Sequence, residues 1–132
     1  MRSALILLAG LASLATACGT GTGTGNGNGG GGTPVTDSTW SSTATDFRGK
    51  NGSRYTYTCT PGGTVGSVWG TGVYTDDSSV CTAAVHAGLI TLAAGGTVTI
   101  EIRAGQDAYV GSTQHGVTSS DYGSWDGSYV FP

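Results

Sequence analysis

Apolar and polar residues fall into three regimes along the chain. Ala4 to Ala15 is almost unbroken apolar sequence, and Gly19 to Pro34 has no aliphatic or aromatic side chain at all. From Trp40 onward, short alternating stretches are separated by glycine-rich turns. The cleanest alternation is Thr97–Arg103. There Val98, Ile100 and Ile102 point one way and Thr97, Thr99, Glu101 and Arg103 the other, the pattern of a half-buried strand. Arg54–Cys59 repeats it, with Tyr55, Tyr57 and Cys59 on one face. Gly66–Thr75 sets Val68, Trp69, Val73 and Tyr74 among glycines, which predicts a bent or bulged strand. Ser124–Phe131 reads as a last strand carrying Trp125, Tyr129 and Phe131. Thr39–Phe47 is a candidate first short strand, and Tyr109–Val110 and Val117 belong to short strands or loops. Turns are expected at Arg48–Ser53 around Asn51-Gly52, at Thr60–Gly63, at Gly95-Gly96 and at Ala104–Asp107.

The period changes after Tyr74. Val80–Ala87 predicts a short helix with almost no polar face, and such a helix has to be enclosed by other elements. Ser78 or Ser79 suits its N-cap, because a hydroxyl there accepts from an orphan backbone N–H. Asp76 and Asp77 suit the positive end of the helix dipole. Ala83, Ala84 and Ala87 allow close approach of neighbouring backbone, and Gly88 is a natural C′ residue. The expected architecture is α+β: one small domain with a buried central helix gripped by antiparallel sheet.

The chain has 132 residues and 25 glycines. With residues 1–35 set aside, roughly 95 remain, enough for one domain. A domain of that size folds with little margin, so a covalent staple would matter. Five basic and eight acidic side chains give a net charge of −3. No basic patch or stripe exists, which argues against a nucleic-acid partner.

Met1-Arg2 followed by the Ala4–Ala15 run has the form of an export signal, too short to span a membrane comfortably. It ends Leu14-Ala15-Thr16-Ala17-Cys18, which resembles the bacterial lipobox, with Ala15 where leucine is usual. The resemblance implies cleavage after Ala17 and a lipid on Cys18. Removal of Arg2 with the signal leaves four basic against eight acidic residues, a net charge of −4. Gly19–Pro34 cannot repay the entropy of ordering and is read as a flexible tether with a reach of about 22 Å. The expected organisation is a signal peptide over 1–17, a lipidated Cys18 with linker over 18–36, and a folded domain over 37–132. Gly19 is not the aspartate associated with inner-membrane retention, so the outer membrane is favoured where two membranes exist.

Tyr74, Ser78, Ser79, Cys81, Ala83, Ala84, His86 and Gly88 reproduce the pattern Y-x-x-x-S-S-x-C-x-A-A-x-H-x-G. Val68-Trp69-Gly70-Thr71 precedes it, Gly95-Gly96 and the Thr97 strand follow, and Gly116-Val117 with Ser119 comes later. This string resembles the LCCL domain family over roughly Phe47–Phe131. The resemblance implies a central helix wrapped by two β-sheets and an extracellular binding role, with lipopolysaccharide proposed as a ligand for some members. Trp69, Gly70, Tyr74, Ser78, Ser79, Ala83, Ala84, His86 and Gly88 are then residues of architecture. Family members usually carry four cysteines in two disulfides, with a C-P-x-x-C segment before the Trp-Gly strand. Here that segment is Cys59-Thr60-Pro61-Gly62-Gly63-Thr64, and the second cysteine is missing. Cys59 and Cys81 both lack their usual partners, and with Cys18 lipidated they are the two thiols left. They are expected to pair with each other, the alternative being two buried free thiols.

Catalytic chemistry has little support in the sequence. His86 would need a nucleophile and an orienting acid, but Ser79 is two helical turns away and no G-x-S-x-G elbow is present. A structural histidine is expected. His115, beside Gly116 in a loop, is expected to be exposed. Two histidines and two distant cysteines form no zinc spacing, and capping already accounts for Asp76 and Asp77 without calcium. No metal and no cofactor are expected. Trp40, Trp69, Trp125 and the six tyrosines could form a stacking surface for sugars, although most are expected in the core. The reading is a non-catalytic, lipid-tethered surface module that binds a glycan, lipopolysaccharide or protein. The alternatives are a structural envelope lipoprotein without soluble ligand and, last, a small hydrolase.

Overall fold

The computed structural model describes residues 31–132. The expected signal peptide, Cys18 and the linker as far as Gly30 lie outside the described residues. The remaining linker residues are not all unpaired: Thr33–Pro34 form β1. This strand runs parallel to β2 (Arg54–Cys59), and the Val35 N–H donates to the Thr56 carbonyl at 2.8 Å. Pro34 has no N–H to offer and is tolerated because β1 is an edge strand.

The long strand β5 (Gly96–Gln106) is the spine of the larger sheet. It pairs antiparallel with β2 on one side and with β8 (Trp125–Val130) on the other. β4 (Val73–Thr75) adds to β8, and β3 (Gly70–Thr71) adds to β4. The order is β1-β2-β5-β8-β4-β3. Because β1 is parallel, this sheet is mixed, which corrects the expectation of two purely antiparallel sheets. β3 and β4 are the two halves of the stretch read as a bent strand; Gly72, with φ 75°, turns the chain between them.

Cross-strand pairs build the core face. Tyr55 opposes Ile100, Tyr57 opposes Val98, and Ile102 opposes Tyr129. All but Tyr55 are fully buried, so one face of alternating residues supplies most of the apolar burial. On the opposite face the Thr56 and Thr99 hydroxyls meet at 2.9 Å.

The single α-helix among the described residues, α1, spans Val80–His86, and all seven of its residues are buried. Ser79 is its N-cap, with its Oγ accepting from the Thr82 N–H at 3.2 Å. Ala87 is the C-cap, and Gly88 takes φ 82°. The Leu89 N–H donates to the Ala84 carbonyl and the Gly88 N–H to the Val85 carbonyl, both at 2.9 Å. These two bonds are the Schellman pair that closes a helix on a left-handed glycine. Cys81 is disulfide-bonded to Cys59, which ties α1 to β2 with Cα atoms 5.7 Å apart.

One segment departs from the sequence reading. Thr39–Phe47 forms turns and a 3-10 helix at Thr45–Phe47 rather than a strand. It has no alternation to present to a sheet; its Phe47 ring stacks on Tyr55 at 3.7 Å, and the Ala44 N–H donates to the Asp76 carbonyl. The second sheet is small: β6 (Thr113–Gln114) and β7 (Val117–Thr118) form a hairpin through His115-Gly116. Both turn residues have positive φ, as a two-residue hairpin turn of this hand requires. α1 packs against β2 of the large sheet and β7 of the small one. No helix of the described residues is long and apolar enough to cross a membrane.

Candidate functional site

The residues of the Tyr74–Gly88 motif converge on one another inside the protein. Tyr74 and His86 are both 0% exposed. The Nε2 atom of His86 lies 3.0 Å from the Ser112 carbonyl oxygen, which can only accept. Nε2 therefore carries the proton, and Nδ1 accepts from the Tyr74 hydroxyl at 2.9 Å. The neighbouring Ser112 Oγ, 3.2 Å from Nε2, meets a nitrogen whose proton already points at a carbonyl and cannot be activated by it. Ser78 and Ser79 are used in the same internal way. The Ser78 Oγ accepts from the Trp69 N–H at 3.0 Å, and the Ser79 Oγ donates to the Trp40 carbonyl at 2.6 Å. Ala83 and Ala84 are fully buried. Gly70 has φ 101°, and a side chain there would strike the Val73 carbonyl. Among the described residues, no three of His, Cys, Asp and Glu stand close enough to hold a metal ion.

The chemistry that faces outward is next to this motif. Asp76, which the sequence suggested as a helix-dipole partner, has its carboxylate held by Arg48 and Trp125. Its Oδ2 accepts from Arg48 Nε at 2.7 Å, and its Oδ1 accepts from Arg48 Nη2 and from the Trp125 indole N–H, both at 2.8 Å. The Asp76 side chain is 1% exposed and that of Arg48 is 39% exposed. Burial alone would raise the Asp76 pKa, but the hydrogen bonds from Arg48 and Trp125 outweigh it and hold the carboxyl below its usual range. The Arg48 guanidinium also lies over the Trp125 ring, 5.2 Å from its centroid. Tyr122 packs edge-on to Trp125 at 5.4 Å and to Trp69 at 6.2 Å, and is itself 41% exposed. Arg48, Trp125, Tyr122 and Trp69 thus form one continuous row anchored by a buried carboxylate.

Grooves open on the surface of the described residues. One, of about 240 Å3, is lined by Gly105, Gln106, Asp107, Ser124, Trp125 and Asp126. Another, of about 310 Å3, is lined by Thr39, Trp40, Ser41, Thr64, Val65 and Gly66. In the second, the Trp40 ring lies over Gly63, where no Cβ would fit, and its indole N–H donates to the Thr60 carbonyl at 2.9 Å.

A family model of the LCCL domain matches residues 35–129. The chain belongs to the LCCL family. It is 43% identical over 63 residues to vitrin of Mus musculus, a segment covering 48% of this chain and 10% of that protein. It is 44% identical over 57 residues to the human cysteine-rich secretory protein LCCL domain-containing 2, covering 43% of this chain and 12% of that protein. Clotting factor C of Tachypleus tridentatus is 38% identical over 68 residues, covering 52% of this chain and 7% of that protein. The matched segments span about a tenth of these relatives, so the likeness is one of domain and not of whole proteins.

Within this LCCL domain, several expected participants change place. Of the aromatic residues considered for a sugar-binding surface, Tyr57, Tyr74, Tyr109 and Tyr129 are core. Tyr55 is stacked on Phe47, while Trp69, Tyr122 and Trp125 come together at the surface and Trp40 lies apart. His115 is exposed, as read from the sequence, but also has a job the sequence did not suggest. Its Nδ1–H donates to the His86 carbonyl at 2.9 Å, satisfying the last turn of α1. Arg48 and Ser112 were not singled out. Their partners lie 28 and 26 residues away, and no local pattern marks such pairs.

Proposed function

We propose that this chain is an exported LCCL binding module, non-catalytic and tethered by a lipid on Cys18, whose ligand is a glycan or lipopolysaccharide. The observation that carries the binding role is the outward row of Arg48, Trp125, Tyr122 and Trp69, set rigidly on the buried Asp76. Aromatic residues with one polar edge are suited to sugar contact, because they offer apolar area without losing their hydrogen bonds. The motif serines and His86 support the non-catalytic reading, since every one of them is engaged inside the protein. In this reading α1 is the central element enclosed by the two sheets, supported by the burial of all its residues and its packing on β2 and β7.

Export is supported by the disulfide, which persists in oxidising compartments, and by the word secretory in the name of one relative. The anchor rests on the lipobox-like sequence before Cys18, with the outer membrane favoured by Gly19. The full chain on a glycan and lipopolysaccharide array tests the binding role. Saturable binding supports it, and silence across the array favours a structural role in the envelope. That second reading has its own support, because the motif shared with the family is internal and builds the fold rather than a site.

A further inference from the structure

The groove against Trp125 restricts the chemistry of the ligand, on the premise that the module binds saccharides. It opens where β5 ends and β8 begins, at the pair Gln106–Trp125. Trp125 is immobilised there by its indole bond to Asp76 and by Arg48 over its ring. Around it stand Gln106, Asp107, Ser124 and Asp126, all exposed. None of these four side chains makes a hydrogen bond or close ion pair within the described residues, although Asp126 interacts at longer range with the Arg48 charge. The wall is therefore rich in unengaged acceptors: two carboxylates, an amide carbonyl and a hydroxyl, with the amide and the hydroxyl also able to donate. No lysine or arginine lines it, and the nearby Arg48 is already bound to Asp76.

A phosphate, sulfate or carboxylate placed here would face two carboxylates, offset only by the nearby Arg48, whose charge Asp76 already holds and Asp126 also feels. A hydroxyl-rich neutral group would find acceptors on several sides of this polar groove, with Trp125 at its edge. The volume of about 240 Å3 suits a single sugar ring better than a long segment.

We propose that this groove is a subsite for one uncharged sugar unit. Its hydroxyls donate to Asp107 and Asp126, and Gln106 and Ser124 complete the hydrogen bonding. Phosphorylated lipopolysaccharide is then excluded from this groove.

The test titrates the full chain with neutral oligosaccharides (glucan, mannan and chitin fragments) and with sulfated and phosphorylated ones, alongside Gln106→Ala, Asp107→Ala and Asp126→Ala. These three residues are exposed and unengaged, so the variants should keep the thermal midpoint of the parent. The expected result is binding of a neutral oligosaccharide that is insensitive to salt and is weakened about fivefold by each variant, the scale of one lost hydrogen bond. Tighter binding of the anionic sugars would overturn the assignment of ligand class. Saccharide binding that all three variants leave unchanged would overturn the subsite while leaving the module's saccharide role standing. No binding of any saccharide by the parent chain would overturn both.

Discussion

Asp76 and Arg48 are joined by two hydrogen bonds, at 2.7 and 2.8 Å, but they are buried unequally: the carboxylate is 1% exposed and the guanidinium 39%. That asymmetry decides which partner the fold misses more. If Asp76 is removed, Arg48 can turn to water. If Arg48 is removed, a buried carboxylate keeps only the Trp125 indole. Arg48→Ala is therefore expected to destabilise by about 2–4 kcal/mol and Asp76→Ala by somewhat less, since leaving a charge buried and unpaired is the costlier change. Urea denaturation midpoints of the two variants check the order; equal losses would contradict it.

The pH dependence of stability follows from the same carboxylate and from the buried phenols. The Asp76 pKa is lowered in the folded state, so its contribution is complete above the unfolded carboxylate range. It is lost as pH falls through the folded value. Burial raises the pKa of Tyr57, Tyr74, Tyr109 and Tyr129. Their contribution is complete below the unfolded tyrosine value of about 10 and is lost as pH rises beyond it. Thermal melts should show a plateau that falls at strongly acid and strongly alkaline pH. Tyrosinate absorbance should rise together with alkaline unfolding, and full titration of all the tyrosines in a still-folded protein would disprove the burial argument.

The Cys59–Cys81 bond closes a loop with a sequence separation of 22. In the chain-entropy picture it stabilises by about 3 kcal/mol. Alkylation of the unreduced protein followed by mass spectrometry should label neither cysteine. The Cys59→Ala/Cys81→Ala double variant should lose stability on that scale, a large share for a domain of this size.

His86 is expected to be structural. His86→Ala leaves the Tyr74 hydroxyl without its acceptor and opens space beside fully buried neighbours. The loss should be about 2–4 kcal/mol, the range for core truncation with a stranded polar group. Differential scanning calorimetry checks it. Saccharide affinity measured below the melting point should be unchanged, and loss of affinity in a folded variant would place His86 in the site instead.

Local signals in the sequence were enough for several elements. Alternation marked Thr97–Arg103 and Arg54–Cys59, and both are strands. The Ser78-Ser79 pair and Gly88 marked the ends of the helix; the structure takes Ser79 as the N-cap and sets Gly88 just past the Ala87 C-cap, because capping depends only on residues within one turn. Thr39–Phe47, only a candidate strand in the sequence, is polar with scattered aromatics and carries no period, so its shape is set by what it packs against. Asp76 was assigned to the dipole of the helix beside it because the competing partner, Arg48, lies on a distant turn.

The sequence by itself determined the family, the helix with its caps and the main strands, all of which rest on local order or on a long motif, whereas the pairing of Cys59 with Cys81 was only an expectation until the fold brought them together. Tertiary structure alone decided the outward face. It buried four of the tyrosines, gathered Trp69, Tyr122 and Trp125 beside Arg48, and left Gln106, Asp107, Ser124 and Asp126 exposed around one groove. The reason is physical: a cap or a strand is fixed by neighbours along the chain, whereas a binding surface is fixed by which side chains the core has no room to bury.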